Sequence, residues 1–283
     1  MSGTEHIVID HNDKKIILHT TPVETLLGYE FYHIEEETKE ECVHLLADSF
    51  TKNNPVHILA GITYEDDYIY YTAIVKRAMM DKLGFYLYSR ELKKILFVYI
   101  MIDLYHYQTV PFSHEYFDKV SSDSGLFKLR ALINKLNSSG ELKPQRFGES
   151  IFAWCVGINT EFFLQGMMAI GDAMVFSYVL KQTNYKNSVL ETLVITTELS
   201  YVGKGKLISD LYYDEYVAPD GSRPFEMVEK VANVMGLSGT KRVASVYVDL
   251  DLMRKSLLTK KDVKIFDEFS KNKSQKKVEK TKF

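Results

Sequence analysis

Hydrophobic positions in this chain follow two periods, and the changes between them mark out the elements. Residues 5–19, EHIVIDHNDKKIILH, alternate apolar and polar around His11-Asn12-Asp13, which predicts a β-hairpin with an Asn-Asp turn. Tyr29 to Ile34 reads as a strand. A helix follows, with Thr38 as candidate N-cap, Glu41 three residues on, and a stripe of Cys42, Leu45, Leu46, Ser49 and Phe50. Pro55 stops that helix or opens the next segment. Tyr64 to Leu83 is a second helix, with Gly84 expected to close it. Phe85 to Ser89 and Lys94 to Asp103 are strands around the charged turn Arg90–Lys93. Glu115 to Asn137 is mostly helical, with a break near Ser121–Gly125.

Ile151 to Ile195 is the stretch that organises the rest. It runs from an apolar strand, IFAWCVGI, through a loop holding Gly166 and Gly171 to a helical pattern around Met174, Tyr178 and Leu180. It closes on the β-branched run SVLETLVI. Strand, loop, helix, strand is a βαβ unit, so its two strands should be parallel. Its loop brings backbone N–H groups and a helix N-terminus to one place, which suits a phosphate. Later come a strand from Leu207 to Val217, a turn at Pro219-Asp220-Gly221, a helix from Pro224 to Met235 and a last strand from Val243 to Leu250. No internal repeat is visible. The divisions are a hairpin extension over 1–25, one domain over 26–252 and a Lys-rich tail over 253–283.

Charge refines this division. From Arg254 to Phe283 the chain carries a net +7, which leaves the body at −10. An acidic body with a basic tail does not fit specific nucleic-acid binding by the domain. The two cysteines, Cys42 and Cys155, exclude a disulfide framework and a Cys-based zinc site, and no metal site is expected. They fit a reducing, cytoplasmic compartment. The longest apolar run, Ile95 to Ile102, is too short to span a membrane. Gly203 to Lys206, GKGK, lacks the strand-before, helix-after context of a phosphate loop and reads as a turn. The tyrosines at 68 and 70–71 and at 212, 213 and 216 suit either an aromatic-amine pocket or ordinary packing at the water boundary.

The order of elements from Tyr29 to Leu250 resembles the GNAT superfamily of acetyl-CoA-dependent N-acetyltransferases, nearest to its arylalkylamine N-acetyltransferase-like branch. Three stretches carry the resemblance: Leu46 to Gly61, the unit at 151–195, and Leu211 to Glu226 followed by VASVYVDL. It implies an α/β (α+β) fold with a mixed, splayed central sheet flanked by helices. It also implies acetyl-CoA lying along Val156, Gly157 and Ile158. The pyrophosphate would sit on the loop holding Gln165, Gly166, Met167, Met168 and Ala169. A glutamate would act as base toward a small amine.

Two positions depart from the family pattern. The phosphate loop reads FLQGMM or, shifted by two, QGMMAI, and neither register keeps both the polar residue and the small residues. The loop Asn159 to Ala169 also lacks Lys and Arg. The residue before the proline, the branch's base, is Asn54, which takes no proton at neutral pH. Substitutes in sequence are Glu65, His57 and Ser200. Glu65, Asp66 and Asp67 together open the second helix, and acidic residues there are more often dipole partners and solvated surface, while a histidine after proline more often packs.

Two readings therefore stand at this stage. In one, the chain is a GNAT-fold protein with weakened or lost catalysis. It then serves as a binding or structural subunit of a larger assembly, a cytoskeletal or ciliary one among the settings, through its hairpin and tail, with no cofactor. In the other, it is an active acetyl-CoA-dependent amine N-acetyltransferase.

Overall fold

The structure is a computed structural model that describes residues 6–9, 15–18, 22, 24–26, 29–109, 124–140, 145–163, 167–194 and 205–251. Strands β1 (His6–Ile9) and β2 (Lys15–Leu18) pair antiparallel as a separate two-stranded sheet, as the alternation predicts. The expected Asn-Asp turn between them lies outside the described residues.

The remaining strands are β3 (Glu24–Leu26), β4 (Tyr29–His33), β5 (Gly84–Ser89), β6 (Lys94–Asp103), β7 (Ser150–Ile158), β8 (Asn187–Thr192), β9 (Lys206–Tyr212) and β10 (Arg242–Asp249). They form one eight-stranded mixed sheet in the order β3-β4-β5-β6-β7-β8-β10-β9. Among the described strands only β7 and β8 pair in parallel, and the helix between them makes the crossover that a parallel pair needs.

One face of the sheet carries helices α1 (Glu36–Asn53) and α3 (Tyr64–Asp81), packed over Val98, Ile100, Phe152 and Val189. The other carries α6 (Met167–Gln182), over Phe97, Tyr99, Ile151 and Leu190. The contact of α6 with β6 is close. A Cβ on Gly171 would lie 2.3 Å from the Phe97 ring. A third cluster joins α2 (Pro55–Ala60), α5 (Gly125–Ser139) and α7 (Val228–Val234) through Val56, Leu132, Phe225 and Val228. Short α4 (Leu104–Thr109) follows β6 directly.

Five sequence expectations need correction. Gly171, expected in the loop after the central strand, lies inside α6, which already begins at Met167. Helix α1 is capped by Glu35, with Thr38 at its third position, where Thr38 Oγ1 accepts the Glu35 N–H at 3.2 Å. Helix α3 closes on Lys82, which takes the left-handed conformation (φ 55°). Gly84 instead begins β5, where a Cβ would press on Ile34 and Ala78 at 3.2 and 3.3 Å. The strand expected to reach Val217 ends at Tyr212, because Tyr213 turns to donate its hydroxyl to the Leu193 carbonyl. Residues 224–227 form turns, and the helix proper is Val228–Val234.

Candidate functional site

The site is created by a failure of pairing. Strands β7 and β8 pair over four residues, from Ser150↔Asn187 to Ala153↔Leu190. At that point β7 bulges. Against β6, Met101 faces Ala153 and Ile100 faces Cys155, so Trp154 is an extra residue. A bulge bends its strand and increases the local twist. Past it, β7 stays on β6 and parts from β8, and a crevice opens between them.

The register shows which backbone groups face that crevice. Asn159 N–H donates to Leu96 O at 2.9 Å, so Ile158 opposite Phe97 and Val156 opposite Tyr99 turn their N–H and C=O away from β6. The Ile158 N–H is taken by Ser49 Oγ of α1 at 3.0 Å. Gly157 makes that approach possible, since a Cβ there would lie 2.8 Å from Leu46 Cδ2. Of the residues expected to line the cofactor, Val156, Gly157 and Ile158 thus lie beside the opening. Gln165 and Gly166 lie outside the described residues. Met167, Met168 and Ala169 begin α6, with their side chains likewise outside them.

On the α1/α3 face, aromatic residues surround a carboxylate. Phe152, Trp154, Val189 and Glu191 share this face, the last two at the two-residue spacing of a strand. Tyr107 of α4 stacks on Phe152, with ring centroids 3.9 Å apart, and meets Trp154 edge-on. Its hydroxyl donates to Glu191 Oε1 at 3.4 Å. Asn137 of α5 hydrogen-bonds the same carboxylate. Trp154 Nε1 donates to Tyr70 OH at 3.1 Å. Glu191 stands one residue past the last β7–β8 pair, at the root of the crevice. Desolvation by the surrounding protein pushes its carboxyl up to about 7, partly offset by the bonds from Asn137 and Tyr107. The apolar pattern of SVLETLVI predicts a buried strand and gives Glu191 no role. Its signal was a charge inside an otherwise β-branched run.

The residues proposed from sequence as bases are placed differently. Asn54 is the junction of two helices. Its N–H closes α1 on Phe50 O at 3.1 Å, and its Oδ1 accepts from Val56 N and His57 N at 2.9 and 3.3 Å as the N-cap of α2. With Pro55 at the first helical position, this is a structural cap. His57 is buried. Its Nδ1 lies 3.1 Å from Asp67 Oδ2, which also accepts from Thr51 Oγ1 at 3.1 Å. The reading of Asp67 as solvated surface is therefore wrong. It is fully buried, and only its neighbours Glu65, which is exposed, and Asp66, which caps Thr63, fit that description. Ser200 lies outside the described residues. The structure thus brings His57 to Asp67 and leaves Glu65 apart from both.

Among the described residues no group of three or more His, Cys, Asp or Glu could hold a metal ion, and no helix is long and apolar enough to cross a membrane.

Compared by sequence, the chain matches no protein-family model and no curated protein. Compared by structure, it is similar to arylalkylamine N-acetyltransferase 2 from Aedes aegypti (13% identity, TM-score 0.62, 78% of this chain and 99% of that one). It is also similar to the C-terminal condensation domain of Ebony, solved with beta-alanyl-dopamine (15% identity, TM-score 0.58, 79% and 100%). A third likeness is to Drosophila melanogaster polyamine N-acetyltransferase (10% identity, TM-score 0.53, 78% and 99%). The splayed mixed sheet, its bulged central strand and these likenesses together show that the chain has the GNAT fold, close in form to the arylalkylamine N-acetyltransferases.

Proposed function

We propose that this chain is an acyl-CoA-dependent N-acyltransferase acting on a small amine. The observation that carries this reading is the crevice itself. The sheet parts after Ala153 and Leu190, Val156 turns its N–H and C=O into the opening, and a carboxylate ringed by Tyr107, Phe152 and Trp154 stands at its root. Val156 offers one donor and one acceptor to the amide arm of a CoA thioester, and the α6 N-terminus offers its dipole to the pyrophosphate. Gln165, Gly166, Met167, Met168 and Ala169 would form that phosphate end. The thioester supplies an activated acyl carbon. The protein's part is to hold it beside the amine and to take the amine's proton. The similar solved structures support the same chemistry, since they include two amine N-acetyltransferases and a condensation domain in complex with beta-alanyl-dopamine.

A second reading, a binding or structural subunit without catalysis, is favoured by Asn54. Its side chain is committed to capping where the resembled branch has its base. Calorimetry with acetyl-CoA, paired with thiol release in the presence of small amines, separates the two. The first reading predicts binding at micromolar concentrations and amine-dependent thiol release. Binding without release supports the subunit, and no binding at millimolar acetyl-CoA overturns the enzyme.

A further inference from the structure

The acceptor amine reaches an acyltransferase as an ammonium ion and must lose a proton before it can attack. We infer that Glu191, at the root of the β7–β8 crevice, takes that proton, replacing the base that is absent at Asn54. This rests on the acyltransferase reading above. Glu191 sits on the face opposite α6, so an amine beside it and a thioester along the open edge of β7 approach one another through the gap past Ala153 and Leu190. Tyr107 and Asn137, the neighbours that hold the carboxylate, are neutral donors. Its charge is therefore not committed to a fixed cation among the described residues.

The step balances simply. R–NH3+ gives one proton to Glu191, leaving R–NH2 and a neutral carboxyl. The nitrogen lone pair attacks the thioester carbonyl carbon, the C–N bond forms and the C–S bond breaks. The thiolate leaves with the sulfur electron pair and takes up the second nitrogen proton, giving the amide and HS–CoA. Glu191 releases its proton to solvent.

A carboxyl held near 7 is a stronger base than an ordinary one, and its basic form is lost as pH falls through about 7. The titratable groups facing it are Tyr107 from α4 and, across Trp154, Tyr70 from α3. Both are held above the ordinary tyrosine range by burial and remain neutral there.

The test compares Glu191→Gln with wild type for acetyl-CoA affinity, melting temperature and the pH profile of kcat. The expected result is unchanged acetyl-CoA affinity, kcat lower by roughly 10²–10⁴-fold, and loss of the acid limb near pH 7. Tyr107→Phe is a second variant, for use where Glu191→Gln does not fold. Removing its donated hydrogen bond should move the acid limb to higher pH. A Glu191→Gln protein with the wild-type rate and profile overturns the inference and leaves the proposed function standing. An unmoved limb in Tyr107→Phe also counts against it. A wild-type protein that transfers no acyl group overturns both.

Discussion

At the residue scale, a polar side chain can be committed to the fold or left available for chemistry, and its hydrogen bonds decide which. Asn54 is 8% exposed, and its Oδ1 satisfies two backbone donors at the start of α2. Asn54→Ala leaves those donors without that acceptor, and loss of an N-cap costs about 0.5–2 kcal/mol. Urea denaturation should show that loss while the transfer rate stays as in wild type. A fall in rate with no loss of stability would return Asn54 to the reaction. Glu191 is the opposite case. Neither of its hydrogen bonds lies within the turn-and-cap framework of the backbone. Its neighbours Tyr107 and Asn137 come from separate helices that converge on it. His57 and Asp67 form a closed pair at the α2–α3 junction, with Thr51 as a third member.

At the element scale, α1 and β7 are joined through one hydroxyl. Ser49 Oγ accepts the Ile158 N–H that would otherwise face the crevice, and Gly157 gives α1 the room to come that close. Ser49→Ala leaves this donor without its partner. A fully buried amide left unpaired costs about 1–3 kcal/mol, and this one is part-buried, so the melting temperature should fall by less than that full cost implies. An unchanged melting temperature would mean that water replaces Ser49 and that α1 is not what fixes the end of β7.

Most of the elements were readable because their apolar positions keep a clean period. The parallel βαβ pair and the β5–β6 hairpin are of this kind. The element ends were less readable. Lys82 closes α3 in a left-handed conformation that glycine usually takes, so Gly84 was the natural but wrong choice. The site was partly readable. The open edge at Val156–Ile158 follows from the central strand, and Asn54 stands out beside a proline. Glu191, Tyr107 and Asn137 come from β8, α4 and α5 and meet only through tertiary packing, so no local spacing links them. Asp67 was misread because its neighbours Glu65 and Asp66 make an ordinary acidic helix start.

At the scale of the whole molecule, the eight-stranded sheet is continuous at both ends and broken in the middle. Strands β3–β7 form one antiparallel half, and β8, β10 and β9 form the other. Among the described residues, four parallel pairs at the base of β7 and β8 join the halves through the sheet. Helices α1 and α3 pack on one face and α6 on the other, so the crevice is lined by different elements on its two sides. That geometry suits a reaction between two substrates that meet at one point. The central claim is that an acyl-CoA thioester completes the sheet on the open edge of β7. The most direct measurement is amide hydrogen exchange along β7, with and without acetyl-CoA. The Val156 amide should become protected when the thioester binds, while Ile158, already bonded to Ser49, changes little. An unchanged Val156 amide at millimolar acetyl-CoA would contradict that claim.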